Sequence, residues 1–159
     1  MPLSDVRITD LPAMRVASAL GYGENPEDLA WQKISGFAAM LGLKPGNPGY
    51  RTFGFNNPDP SPGSPNYGYE IWLVLADGQD LPEVPEGITI KEIAPSSYAV
   101  TRFTGLSKIG QTWQELVAWF EDSPYTRPPN WSTCLEELTN PAETDPEKWV
   151  FDLYLPIGR

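Results

Sequence analysis

The sequence contains no histidine and a single cysteine, Cys134. The first absence removes the usual general base, proton shuttle and commonest metal ligand, so Ser-His-Asp and Cys-His mechanisms are excluded. The second leaves no partner for an internal disulfide and no thiolate set for a zinc site. Basic residues are scarce: 11 Lys and Arg against 21 Asp and Glu give a net charge of −10. Nucleic acid and anionic membranes are held chiefly through Lys and Arg, so neither is an expected partner of this chain alone, whereas cations are favoured. No apolar run approaches the ~20 residues that span a bilayer, and the opening Met1-Pro-Leu-Ser-Asp has neither a basic nor an apolar signal region. A cytoplasmic protein without metal or cofactor is expected.

What is present is aromatic. Six Trp and seven Tyr in 159 residues are more than one core of this size requires, and they are either a stacking surface or core and interface filler. The length fits one domain, or two half-size units sharing a core.

Residues 6–11 alternate apolar and polar, and 13–20 continue beyond Pro12 as a second strand ending at Gly21-Tyr-Gly. Asn25 as N-cap, Pro26 at the first helical position, and Glu27 and Asp28 in the first turn open a helix. It runs to about Leu41, with Trp31, Ile34, Ala38 and Leu41 at helical spacing, and stops at Gly42. A short strand over 50–55, a polar Pro/Gly/Ser/Asn loop over 56–68 and the strand 69–75 complete the first half. Residues 77–87 read as a linker, after which the order restarts.

The second half repeats the first. Ile8 and Ile90, Trp31 and Trp113, Phe53 and Leu135, and Tyr69 and Phe151 all stand 82 positions apart. Repeat one (5–76) and repeat two (88–157) each read strand, strand, helix, strand, strand. One helix cannot cover both faces of such a sheet, so the copies are expected to pair into one curved antiparallel sheet of about eight strands. That is an α+β fold with two helices on one face and a cleft on the other. Ile109, Trp113, Leu116 and Phe120 supply the buried stripe of the second helix.

Alternation then assigns faces. Tyr69, Ile71, Leu73 and Leu75, with Phe151, Leu153 and Leu155, form the helix-facing rows, leaving Glu70, Trp72, Asp152 and Tyr154 on the cleft side. Applied to Cys134-Leu-Glu-Glu-Leu138, the same parity sends Leu135 to the core and Cys134, Glu136 and Leu138 to the cleft, opposite Gly54 in the first repeat. A carboxylate in such a place costs several kcal/mol unless partnered. Glu136 therefore either sits at the rim in water or awaits a cation, which aromatic faces at Trp72 and Tyr154, with Tyr22, Phe103, Trp131 and Trp149 as further candidates, would also attract. Cys134 has no visible cationic neighbour to activate it.

Tyr98-Ala-Val-Thr-Arg-Phe-Thr-Gly105, Ile109-Gly-Gln-Thr-Trp-Gln-Glu-Leu116, Cys134-Leu-Glu-Glu-Leu-Thr-Asn-Pro141 and Phe151-Asp-Leu-Tyr-Leu-Pro-Ile157 together resemble the GyrI-like family. These are the effector-binding domains of AraC-type and MerR-type multidrug regulators, also found free-standing. The resemblance covers essentially the whole chain. It implies the paired-repeat fold and a late-strand glutamate that meets cationic drugs, which falls on Glu136; with the first strand starting within a few residues of Met1 and no helix-turn-helix segment before it, a single free-standing domain is expected. The resemblance places Tyr154 as a pocket tyrosine and Leu138 where the family often has an aromatic. It also favours Val16 and Phe103 over Arg15 and Arg102 as cleft residues, a choice alternation leaves open. The expected ligand-binding set is Glu136, Trp72, Tyr154, Leu138, Phe103, Val16, Tyr22, Trp131 and Glu70.

The function expected is promiscuous binding of lipophilic, often cationic aromatic molecules. Two alternatives remain: a hydrolase of strained electrophilic drugs using the same glutamate with Tyr154 assisting, and an inhibitor that binds DNA gyrase through acidic mimicry of DNA. The −10 charge is spread along the chain rather than gathered in a block, which weighs against the last.

Overall fold

The computed structural model describes residues 5–57, 62–128 and 133–158. The alternating and helical patterns resolve into β1 (Val6–Leu11), β2 (Met14–Gly23), α1 (Pro26–Met40), β3 (Thr52–Asn56), β4 (Tyr67–Leu75), β5 (Ile88–Ile93), β6 (Ser96–Thr104), α2 (Ile109–Glu121), β7 (Leu135–Leu138) and β8 (Val150–Ile157). Strand pairs are antiparallel. The α+β class, eight strands and two helices are those expected from the sequence.

The strands gather into two compact units. One holds strands in the order β3-β4-β2-β5 with α1, the other strands in the order β1-β6-β8-β7 with α2. They are not the two sequence repeats, because each repeat gives its first strand to the unit of the other: β1 pairs with β6 and β5 with β2. The short connections account for this. Only Pro12-Ala13 separates β1 from β2 and only Ala94-Pro95 separates β5 from β6. The two-residue hairpins favoured between neighbouring strands use positive φ, which no described non-glycine residue adopts. β1 and β2, and likewise β5 and β6, do not pair with each other.

Each helix covers one sheet face. Ala30, Ile34, Phe37 and Ala38 of α1 pack on Ala17, Ala19, Ile71 and Leu73. Leu116 of α2 packs with Ala99, Leu153, Leu155 and Ile157, flanked by Ile109, Trp113 and Phe120. The α1 terminus is closed by Gly42 at φ +76°, with Gly42 N–H donating to Ala39 O (3.0 Å) and Leu43 N–H to Ala38 O (2.8 Å). That is a Schellman stop, and it needs glycine at the left-handed position. At the other end Asn25 makes no side-chain capping bond, so Pro26 and the acidic first turn carry the start. No described helix is long and apolar enough to cross a membrane.

Candidate functional site

Register fixes which side chains share a face, since directly opposed residues point the same way. In the β1/β6–β8 unit, Ala99, Thr101 and Phe103 oppose Leu155, Leu153 and Phe151 on the helix side, while Val100 and Arg102 oppose Tyr154 and Asp152 on the helix-free side. Across β7 and β8, Glu136 opposes Leu153 and Leu138 opposes Phe151, whereas Leu135 opposes Tyr154 and Glu137 opposes Asp152.

This corrects the sequence-based faces of β7. Glu136, Leu138 and Cys134 belong to the helix side. The Glu136 Oε2 accepts a hydrogen bond from Trp113 Nε1 of α2 at 2.8 Å, and Cys134 packs on the α2 core. The carboxylate on the helix-free side is Glu137. Phe103 is likewise on the helix side, stacked on Phe151 with centroids 5.4 Å apart, and Arg102 takes the helix-free position. Parity failed because Leu-Glu-Glu-Leu carries one leucine and one carboxylate on each face, so apolarity does not say which face meets the helix. The repeat offset itself is sound: Glu136 matches Gly54, opposite Ile71 on the helix side, where the Tyr69 ring occupies the space a Cβ would need. The position matching Glu137 is Phe55.

Val16, Trp72 and Glu70 do lie on the helix-free face of the β2–β5 unit: Val16 opposes Val74, Ser18 opposes Trp72, and Phe53 and Phe55 oppose Trp72 and Glu70. Tyr22 shares the β2 parity but is 58% exposed at the strand end. Trp131 lies outside the described residues.

Two carboxylate networks occupy these faces. Glu70, 3% exposed, accepts from Lys91 Nζ (2.8 Å), Ser18 Oγ (2.7 Å), Trp72 Nε1 (2.7 Å) and Asn57 Nδ2 (2.9 Å). The Trp72 ring meets Phe55 edge-on at 4.9 Å. Burial pushes the Glu70 carboxyl up, but the bonds from Lys91, Ser18, Asn57 and Trp72 together outweigh it and hold the pKa below its ordinary value. The second network centres on Asp152. It accepts from Arg102 Nε (2.8 Å) and Nη2 (3.0 Å) and from Arg7 Nη2 (2.9 Å). Burial raises this carboxyl too, and the two arginines bring it below the ordinary value. Beside it, Tyr154 Oη donates to Glu137 Oε1 at 2.6 Å, and the Tyr154 ring meets Tyr98 edge-on at 5.5 Å. Among the described residues no cluster of three or more acidic or cysteine side chains could hold a metal.

Helices on one side of the strands, with buried aromatic rings and hydrogen-bonded carboxylates on the other, define a domain of α+β class. Over residues 4–158 the sequence matches the GyrI-like small molecule binding domain, and the chain belongs to that family. The fold is shared with EcmrR in its DNA complex, at a TM-score of 0.68 and 15% identity; the match covers 98% of this chain but only 57% of the EcmrR chain. A hydrolase from Listeria innocua matches with a TM-score of 0.66 and 15% identity over 99% of this chain and 94% of its own. SAV2435 bound to tetraphenylphosphonium matches with a TM-score of 0.60 and 16% identity, over 97% and 94% of the two chains. At these identities the likeness is one of fold. No curated protein matches the sequence significantly.

Proposed function

We propose that the helix-free face of the β1/β6–β8 unit binds lipophilic aromatic small molecules, cationic ones among them, with Glu137 and Tyr154 as the key residues. Glu137 takes the role the sequence reading gave to Glu136. The observation that carries the proposal is the Glu137–Tyr154 hydrogen bond, made by a carboxylate 9% exposed and a tyrosine 2% exposed. A carboxylate this buried is stabilised by positive charge brought to it, and each aromatic face adds about 0.5 to 2 kcal/mol for a cation. Val16, Trp72 and Phe55 give the corresponding face of the β2–β5 unit a similar apolar and aromatic character. SAV2435 in complex with the lipophilic cation tetraphenylphosphonium supports this ligand class.

The test is a titration of a fluorescent planar cation into wild type, Glu137→Gln and Glu136→Gln, with the ligand recovered for mass analysis. Glu137→Gln is expected to weaken binding by more than about 1 kcal/mol, roughly fivefold. Glu136→Gln, whose amide oxygen still accepts from Trp113, leaves it nearly unchanged. Equal affinity in wild type and Glu137→Gln removes that residue from the site, and no saturable binding overturns the proposal. A ligand returned with altered mass by wild type but intact by Glu137→Gln would move the assignment to a hydrolase, the description carried by the Listeria innocua neighbour.

A further inference from the structure

The helix-free face of the β1/β6–β8 unit carries more positive charge than a site for simple cations should. Register sets Arg102, Asp152 and Glu137 in one row across β6, β8 and β7, a span of roughly 10 Å at two strand spacings. Arg7 of β1 stands opposite Val100 in the neighbouring row and reaches back to Asp152 Oδ2. Two guanidiniums thus share one carboxylate that is 4% exposed, while their own side chains remain 49% and 56% exposed. A guanidinium has five N–H donors. Arg7 spends one on Asp152 and Arg102 spends two, which leaves most of both forks available to an incoming acceptor.

Formal charges sharpen the point. Two guanidinium charges against the one Asp152 carboxylate leave that cluster net positive, so a group bound beside it is favoured when it carries an anion. The Asp152 carboxylate, through its hydrogen bonds and its charge, raises the Arg102 guanidinium above its ordinary value, with Glu137 adding in the same direction. The other unit lacks this device: Leu20, 82 positions before Arg102, and Thr89, 82 positions after Arg7, stand at the matching places. Its acid, Glu70, is matched by the single cation Lys91.

We propose that Arg7 and Arg102 form an anion-accepting subsite beside Glu137 and Tyr154, and that the ligands this face prefers are aromatic zwitterions, with a carboxylate for the arginine pair and a delocalised cation for Glu137. The proposal rests on the binding reading of the same face and adds its charge selectivity. Arg102 is the specificity-determining residue, because its fork meets Asp152 along one edge only.

Rhodamine B and its ethyl ester test this, since they share a cationic xanthene chromophore and differ in a free carboxylate. Fluorescence anisotropy titrations of both dyes are run on wild type, Arg102→Leu (the residue of the matching repeat position) and Arg102→Lys, with the fold of each variant checked by circular dichroism. Wild type is expected to bind the free acid more tightly than the ester. Arg102→Leu should weaken the acid about tenfold, the scale of a charge-assisted hydrogen bond, and leave the ester unchanged or tighter. A merely structural role for Arg102 would weaken both dyes alike, which overturns the proposal. Should Arg102→Leu fail to fold, Arg102→Lys decides: a selective loss for the acid supports the subsite and an equal effect on both dyes sinks it. Ester binding without preference for the acid in wild type overturns the subsite and keeps the cation reading, whereas binding of neither dye overturns both.

Discussion

At the scale of single residues, each acid on a helix-free face is held by partners of a different kind. Glu70 has Lys91, a hydroxyl, an amide and an indole, Asp152 has two guanidiniums, and the contacts of Glu137 include the Tyr154 phenol. The indole at Trp72 serves two ends, since its N–H donates to Glu70 while its ring packs edge-on against Phe55. Trp72→Phe removes the donor and keeps an aromatic ring at the site. With three donors still on Glu70, urea denaturation should show a loss of about 1 to 2 kcal/mol. Trp72→Ala removes the ring as well and should cost about 3 to 5 kcal/mol. Similar losses for both variants would mean that the N–H, not the ring, carries the contribution of Trp72.

At the scale of elements, the exchange of β1 and β5 decides which residues share a core. Ile8 and Ile90 are equivalent in the repeat, yet Ile8 packs on the cluster containing Leu116 and Ile90 on the cluster containing Ile34. Double-mutant cycles read this directly. Ile8→Ala, at about 2 kcal/mol for a partly buried site, should couple with Leu116→Ala by more than about 0.5 kcal/mol and add independently with Ile34→Ala. Coupling to Ile34 instead would contradict the exchanged pairing. Much of this architecture was legible in the sequence. The helix stop at Gly42, the repeat offset and the Tyr69 and Phe151 rows follow from turn chemistry and period-two alternation. The exchange was not, because alternation shows that a segment is a strand without showing its neighbour. The side of Glu136 was hidden for a related reason: β7 is four residues long with Leu and Glu on each face, and only its register with β8 tells them apart. Val16 came out on the expected face and Phe103 did not, although the resemblance treated them alike. The difference lies in β6, where alternation left Arg102 and Phe103 open and only the register with β8 decides, setting Arg102 opposite Asp152 and Phe103 opposite Phe151.

For the molecule as a whole, the lowered carboxyl values of Glu70 and Asp152 tie stability to pH. A group whose pKa is lower folded than unfolded binds more protons in the unfolded chain, so it adds stability above the unfolded value and loses it as pH falls through the folded one. With ordinary values of 4.5 for Glu70 and 3.8 for Asp152, both contributions are fully present at neutral pH and decline below about pH 4.5, through the acid range. The net charge of −10 acts in the same window, since protonation relieves self-repulsion and partly offsets the loss. A variant separates the two effects. Lys91→Met removes the exposed cation from Glu70, leaving burial to push that carboxyl upward against fewer compensating bonds. Its folded pKa then moves toward or above the unfolded value, so the stabilisation at neutral pH shrinks or reverses. Chemical denaturation from pH 7 to pH 3 should therefore show the largest gap between wild type and Lys91→Met at pH 7, narrowing as the pH drops and Glu70 is protonated in both. A gap that stays constant across the range would mean that Lys91 contributes independently of the Glu70 charge, and that the Glu70 carboxylate draws its stability from Ser18, Asn57 and Trp72 without the ion pair.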